Sequence, residues 1–322
     1  MLLSTNKGLS TRISTDQVNL ACLFLWGLWP CPTQEANVNI LLSGGASDLA
    51  TVLTPQLLAR GDHPVRIDIR QPQVAGGTII HGSILDRPLL QKAMSEVDVV
   101  VHIAAWHGIH EVTGQKDGFD FWDLNATGTF NIFETAMRSG VKQILHISTT
   151  SIYDGDGYYR QTKLIAEEIA QTFAARHNVR LVILRPRAFI PAWNSAVYGS
   201  FIEWANWFVK GAVHIDDFAR AVLLALDFLA DPAKPTPLVA DIDGAYDYTA
   251  AQLANWDVGG PGSTFRATYP EFAELAEAAG LDISVRPDIL ARTEAQTLLG
   301  YEPHYSLANL LAELAERRTA TD

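Results

Sequence analysis

From Val38 onward, short and nearly continuous apolar runs alternate with longer stretches whose apolar residues recur every three or four positions. The short runs cover residues 38–42, 65–69, 78–80, 98–103, 143–147 and 180–184. Uninterrupted apolar runs of this length predict strands buried on both faces of a sheet. The intervening stretches 49–60, 89–95, 119–139 and 159–177 carry the helical period, with Gly61 and Gly140 as C-terminal stops.

Strand and helix in regular alternation predict βαβ units, hence an α/β fold with a doubly wound parallel sheet of Rossmann type. Beyond Arg185-Pro186 the pattern loosens, and Pro191, Gly199, Pro232, Pro235, Pro237, Gly259, Gly260 and Pro261 interrupt shorter elements. Helices are predicted there at 216–229, 269–279 and 307–318. No internal repeat or low-complexity segment interrupts the reading.

Composition narrows the class. A chain of 322 residues that is 48% hydrophobic and 19% charged buries a sizeable core and is not disordered by default. With 24 Lys+Arg against 36 Asp+Glu, the formal charge of -12 opposes phosphate neutralisation and excludes nucleic acid as the expected partner. Only Cys22 and Cys31 are present, so the globular part is expected to have no disulfide framework, no Cys-based zinc site and no catalytic thiol; no metal is expected, and cytoplasmic residence is the default. The apolar run at 18–29 is shorter than the roughly 20 residues that span a bilayer, so no membrane partner is expected. Its flank Trp29-Pro30-Cys31-Pro32 fits a signal-peptide cleavage site poorly, which leaves residues 1–36 as an extension of uncertain order or a packed extra helix.

The segment from Leu41 to Ala50 lies where the first predicted strand turns into the first predicted helix. Such a turn presents bare N–H groups at a helix N-terminus, whose partial positive charge receives a diphosphate. Gly44 and Gly45 supply the tight turn, while Ser47 and Ala50 stand where glycines would let the diphosphate approach and the helix pack on the strand. An ordinary Gly-Gly turn is the competing reading. Asp68 follows Gly44 by 24 positions, near the spacing of a ribose-binding acid. A carboxylate there accepts both ribose hydroxyls and repels a 2′-phosphate, so NAD(H) is preferred; Arg70 keeps NADP(H) as the alternative.

Several motifs occur in order: Ser43-Gly44-Gly45-Ala46, Asp68, Val101-His102-Ile103-Ala104-Ala105, Asn125-Ala-Thr-Gly-Thr-Phe-Asn131, Ser148-Thr149-Thr150-Ser151-Ile152-Tyr153, Tyr159-Arg-Gln-Thr-Lys163, Arg185-Pro186, Val213-His-Ile-Asp-Asp217 and Leu299-Gly-Tyr-Glu-Pro303. From about Asn37 to the C-terminus this order resembles the NAD-dependent epimerase/dehydratase family, the extended short-chain dehydrogenases. The resemblance implies a dinucleotide-binding domain over 37–186 and a mainly substrate-side region with closing helices over 187–322. It also implies that Gly44, Gly45, Ser47, Asp48 and Leu49 cradle the diphosphate, with Asp68, Arg70, Ser83 and Ile84 toward the adenosine. Ala104, Ala105, Asn125, Lys163 and Pro186 complete the cofactor contacts, although a plain helix N-cap accounts equally well for Asn125.

Tyr159 and Lys163 are four apart and share one helical face. A free tyrosine has a pKa near 10 and is a poor base until a nearby ammonium and a cationic nicotinamide favour its phenolate. The resemblance implies that Lys163 supplies that charge and holds the nicotinamide ribose, that Thr149 fixes the substrate oxygen, and that Tyr159 moves the proton during hydride transfer. An exposed helix pair is the bland alternative.

The family hosts many reactions. Its sugar-nucleotide dehydratases carry an Asp-Glu pair after the catalytic Thr, whereas Thr150-Ser151 follows Thr149 here, and no Cys lies near the site. Two short loops, 154–157 and the stretch between Pro186 and Asp216, leave less wall around the ligand. The expectation is an NAD(P)-dependent dehydrogenase or reductase of a small sugar, sugar acid or other carbonyl compound. Trp106, His107, Thr150, Arg187 and Trp193 are the candidate substrate contacts, with His110, Trp204 and Trp207 as further aromatic wall. A nucleotide-sugar C4 epimerase and a non-catalytic dinucleotide-binding regulator are the alternatives, and a homodimer is compatible with each.

Overall fold

A computed structural model describes residues 38–154 and 156–319; the extension at 1–36, with Cys22 and Cys31, lies outside the described residues. The predicted alternation is what folds. β1 (Asn39–Ser43) leads into α1 (Asp48–Ala59), β2 (His63–Asp68), β3 (Thr78–His81), α2 (Arg87–Ala93) and β4 (Val99–His102). Next come α3 (Gly108–Val112), α4 (Gly118–Phe121), a π-helical segment Trp122–Gly128, α5 (Thr129–Arg138), β5 (Gln143–Ile147), α6 (Tyr158–His177) and β6 (Arg180–Pro186). The C-terminal part adds α7 (Phe201–Phe208), α8 (Ile215–Ala230), β7 (Leu238–Ile242), α9 (Ala250–Ala254), α10 (Ser263–Thr268), α11 (Ala273–Ala278) and α12 (Leu307–Thr319).

All pairings are parallel, in a seven-stranded sheet of order β3-β2-β1-β4-β5-β6-β7. This is the doubly wound sheet read from the sequence. Because side chains alternate along a strand, Leu42, Val101, Leu145 and Leu184 pack on one face under α1 and α8. Leu41, Val100, Ile144 and Ile183 pack on the other, against α2, α5 and α6. Burying each such side chain contributes roughly 1.5–3 kcal/mol, which is why the central strands are predominantly apolar; β3, at the edge of the sheet, is largely exposed rather than covered on both faces. A third apolar cluster, with Trp204, Phe208, Phe265, Leu310 and Leu311, gathers α7, α10 and α12.

Several elements differ from the sequence reading, and α3, α7, α9 and α10 were not read from it. β7 was not expected; it forms in the proline-interrupted stretch as an edge strand, where proline neighbours are tolerated. The single helix read at 119–139 is broken into α4, the π-helical segment and α5. The helix read at 269–279 shortens to α11, which begins after Pro270. No helix among the described residues is long and apolar enough to cross a membrane.

The strand order reverses between β1 and β4. In open α/β sheets the crevice beyond the C-terminal strand ends at such a reversal receives ligands, and the groove described next opens there.

Candidate active site

The β1–α1 turn forms the floor of a groove of about 600 Å³. Gly44 has φ +73°, and a Cβ on it would lie 2.9 Å from Ala104 N; one on Gly45 would lie 2.6 Å from Arg66 Cβ. Both positions therefore require glycine. Their N–H groups donate to Ile67 O, each at 3.0 Å. Ser47 is the N-cap of α1, and its hydroxyl accepts from Ala50 N at 3.2 Å, so it is turned onto the helix. The N–H groups of Asp48 and Leu49 accordingly have no partner among the described residues and remain available to an anion.

At the end of β2, the Asp68 carboxylate accepts from Ala46 N at 3.0 Å and Arg70 N at 2.8 Å. The exposed Arg70 guanidinium lies 3.6 Å from Asp68 and donates to Ala46 O. Ser83, Ile84, Ala104 and Ala105 line the same groove, as do Trp106 and His110. Asn125 does not: it is buried within the π-helical segment rather than capping a helix, with its amide committed to Trp106 N at 2.7 Å, Trp106 O and Thr162 Oγ1. It thereby pins the loop after β4, which explains why an amide is needed there although it touches no ligand space.

Ile103, Ala105 and His107 are shared with a second cavity of about 620 Å³, which Thr149, Tyr159, Lys163 and Pro186 also line. Thr149 follows β5 and is buried. Burial raises the Tyr159 pKa, and the neighbouring Thr149 hydroxyl, which accepts from Ser151 N at 3.1 Å, works against that rise. Lys163, buried one helical turn on, donates to Ile147 O at 2.6 Å. Desolvation lowers its pKa to about 8, partly offset by the charge of Glu167. Glu167 is held by Ser148 Oγ and by a bidentate pair with Arg185 at 2.6 and 2.9 Å. His107 is half-buried between the two cavities, and burial drives its pKa down to about 4.

Of the candidate substrate contacts, Thr150 and Arg187 are otherwise engaged and Trp193 lies outside both cavities. The Thr150 hydroxyl turns to Pro186 O, and Ser151 lines the cavity in its place. Arg187 borders the second cavity, but its guanidinium is committed to Asp288 at 2.8 Å and Gly211 O, with Asp243 at 3.9 Å. Trp193 is 51% exposed and lines neither cavity, while Trp204 is core and donates to Ile190 O. Trp207 does line the second cavity, together with Tyr198 and Lys210, which the sequence reading missed. Asn194, also missed, donates to the Asp48 carboxylate at 2.7 Å across the mouth of the groove.

Residues 40–205, more than half the chain, match the sequence model of the NAD dependent epimerase/dehydratase family. The chain belongs to this family of enzymes. Among its relatives, the uncharacterized protein y4nG of Sinorhizobium fredii is 24% identical over 58% of this chain and 52% of its own. Sterol demethylase protein B of Methylococcus capsulatus is 27% identical over 59% of this chain and 66% of its own, so the chain spans half to two thirds of these two relatives. UDP-glucose 4-epimerase of Rhizobium meliloti is 24% identical over 84% of this chain and 94% of its own. Among solved structures, UDP-glucuronic acid 4-epimerase from Bacillus cereus in complex with NAD has a TM-score of 0.62 at 21% identity, covering 88% of this chain and 99% of that one. A short-chain dehydrogenase/reductase superfamily protein from Agrobacterium tumefaciens with bound NAD has a TM-score of 0.67 at 18% identity, covering 88% and 98%. At these identities the family likeness in three dimensions is one of fold.

Proposed function

We propose that the protein is an NAD-dependent oxidoreductase acting on a secondary alcohol or carbonyl of a small sugar, sugar acid or similar compound, with Tyr159 as the proton-transfer group. The observation that carries the reading is the convergence of Thr149, Tyr159 and Lys163 on a cavity that shares walls with the β1–α1 groove. NAD suits that groove on three counts: two free N–H groups at the start of α1, a turn too tight for any Cβ, and a carboxylate at the end of β2 for the ribose. Arg70 already faces Asp68, which favours NAD over NADP. Structures of similar fold carry NAD.

When bound, NAD supplies the acceptor for the hydride that leaves the substrate carbon. Thr149 Oγ1 orients the substrate oxygen, and Tyr159 Oη takes the hydroxyl proton as the carbonyl forms, returning it in the reverse direction. A phenol whose pKa is raised by burial holds its proton for the reductive direction. For the oxidative direction the ammonium of Lys163, still mostly protonated at neutral pH, favours the phenolate. Thr150-Ser151 after Thr149 provides no acid-base pair for water elimination, so dehydration is not part of the reading.

A second reading, nucleotide-sugar 4-epimerisation, is supported by the near full-length similarity to UDP-glucose 4-epimerase of Rhizobium meliloti. One experiment separates the two. Purified protein is incubated with NAD or NADH and a panel of D-glucose, D-glucuronate, small aldehydes and UDP-glucose, with absorbance followed at 340 nm and sugar products resolved by chromatography. Net cofactor turnover supports the oxidoreductase, and UDP-galactose formed without it supports the epimerase. Tyr159→Phe is expected to lower kcat by at least a hundredfold at unchanged NAD affinity; undiminished turnover sinks the proton-transfer role. Homodimerisation belongs to the same proposal, supported by the exposed Phe119, Trp122 and Phe130 along α4 to α5 and Tyr158 and Leu164 on α6. Sedimentation at micromolar concentration giving the mass of one chain removes it.

A further inference from the structure

α6 starts after Gly157, which has no side chain with which to cap the helix. The first N–H groups of a helix need acceptors from outside it. Here they find one on another element: the Glu111 carboxylate of α3 accepts from Tyr158 N at 2.6 Å through Oε1 and from Tyr159 N at 3.0 Å through Oε2. A Cβ on Gly157 would lie 2.6 Å from Glu111 Oε2, so the missing cap and the incoming carboxylate depend on the same glycine.

The same short helix is in contact with the tyrosine ring. A Cβ on Gly108 would lie 3.2 Å from Tyr159 Cδ1, and the His107 ring centroid is 6.4 Å from that of Tyr159. Gly108, Ile109 and Val112 also wall the cavity that holds Thr149, Tyr159 and Lys163. One carboxylate thus joins the cavity wall to the backbone from which the phenol projects.

We infer that Glu111 is a positioning residue for Tyr159: it fixes the first turn of α6 and clamps α3 against it, so that the phenol and the cavity wall keep one geometry. This rests on the reading of Tyr159 as the proton-transfer group. Glu111 touches no reacting atom in this role and acts through the Tyr158 and Tyr159 amides. Because a misplacement of about 1 Å costs on the order of a hundredfold in rate, loosening that turn lowers kcat while leaving the cofactor groove intact.

The test compares Glu111→Ala, Glu111→Gln, the double variant Glu111→Ala/Gly157→Ser, and Tyr159→Phe, using NAD and the sugar of the panel that wild-type protein turns over fastest. Glu111→Ala is expected to lower kcat about thirtyfold, with KM and the NAD dissociation constant within twofold of wild type. Glu111→Gln keeps an acceptor and is expected to lose less than fivefold. In the double variant the new hydroxyl occupies the space the carboxylate leaves and caps the helix, so kcat is expected to recover at least tenfold over Glu111→Ala. Wild-type kcat in Glu111→Ala with only a lower melting temperature overturns the inference, as does failure of the double variant to recover. If Glu111→Ala does not fold, the Gln and double variants decide: both must fold and stay within fivefold of wild type. Turnover retained in Tyr159→Phe overturns the underlying reading, whereas its loss beside an unaffected Glu111→Ala overturns the positioning role alone.

Discussion

Asp48 occupies the first position of α1, whose own N–H and that of Leu49 are the free anion donors of the groove. A carboxylate there opposes the diphosphate that those donors would hold. It is kept in place by Asn194, and burial raises its pKa against the lowering effects of Asn194 and Arg70. On the proposed reading this weakens the dinucleotide seat, which suits an oxidoreductase, since such an enzyme must release its cofactor every cycle. Asp48→Asn keeps the amide partner Asn194 and removes the charge. It is expected to tighten NAD binding roughly tenfold, about 1.4 kcal/mol, and the gain should shrink as pH falls through the raised pKa and the wild-type carboxyl becomes neutral. Calorimetric titration of both proteins at two pH values checks this; equal affinities would remove Asp48 from the account. Ser47, by contrast, which stands where a glycine would ease the diphosphate's approach, has its hydroxyl turned onto Ala50 N.

At the scale of elements, the sheet was legible because buried parallel strands must be largely apolar, and the central strands β1, β4, β5 and β6 carry that pattern, whereas β3, read from its apolar run, is a largely exposed edge strand. β7 was not legible, since its run Leu-Val-Ala-Asp-Ile is short, half polar on its exposed side and preceded by Pro235 and Pro237. Helical period alone could not reveal the π-helical turn at Trp122–Gly128, where Asn125 is drawn inward to the loop after β4. The Tyr159–Lys163 pair was readable because its partners lie four residues apart on one helix. Glu111 and Asn194 were not, because their partners lie 47 and 146 residues away and only the fold brings them together. Spacing along one element is written in the sequence; contact between elements is not.

Over the whole molecule, two histidines are enclosed in the sheet region and their titration couples folding to pH. His102 is satisfied by Ser43 at 2.7 Å and Thr129 at 2.9 Å, and burial lowers its pKa to about 3. His146, on β5 between His102 and Phe133, has no partner for either ring nitrogen among the described residues, and its pKa lies well below the usual value. A basic group with a folded pKa below its unfolded 6.5 binds fewer protons in the native state, so its neutral burial is compatible with full stability above pH 6.5 and increasingly opposed below it. From pH 6.5 to pH 5 each of these two histidines is expected to remove about 2 kcal/mol. His146→Leu replaces an unsatisfied ring by an apolar side chain of similar size. It should raise stability by about 1–2 kcal/mol at pH 7 and remove the roughly 2 kcal/mol that His146 contributes to the acid-dependent loss, while His102 and His107, whose pKa values burial also lowers, still titrate. Urea midpoints measured from pH 7.5 to pH 5 give both quantities. A variant whose stability falls with pH as steeply as wild type would show that His146 is not one of the groups through which acid unfolds the sheet.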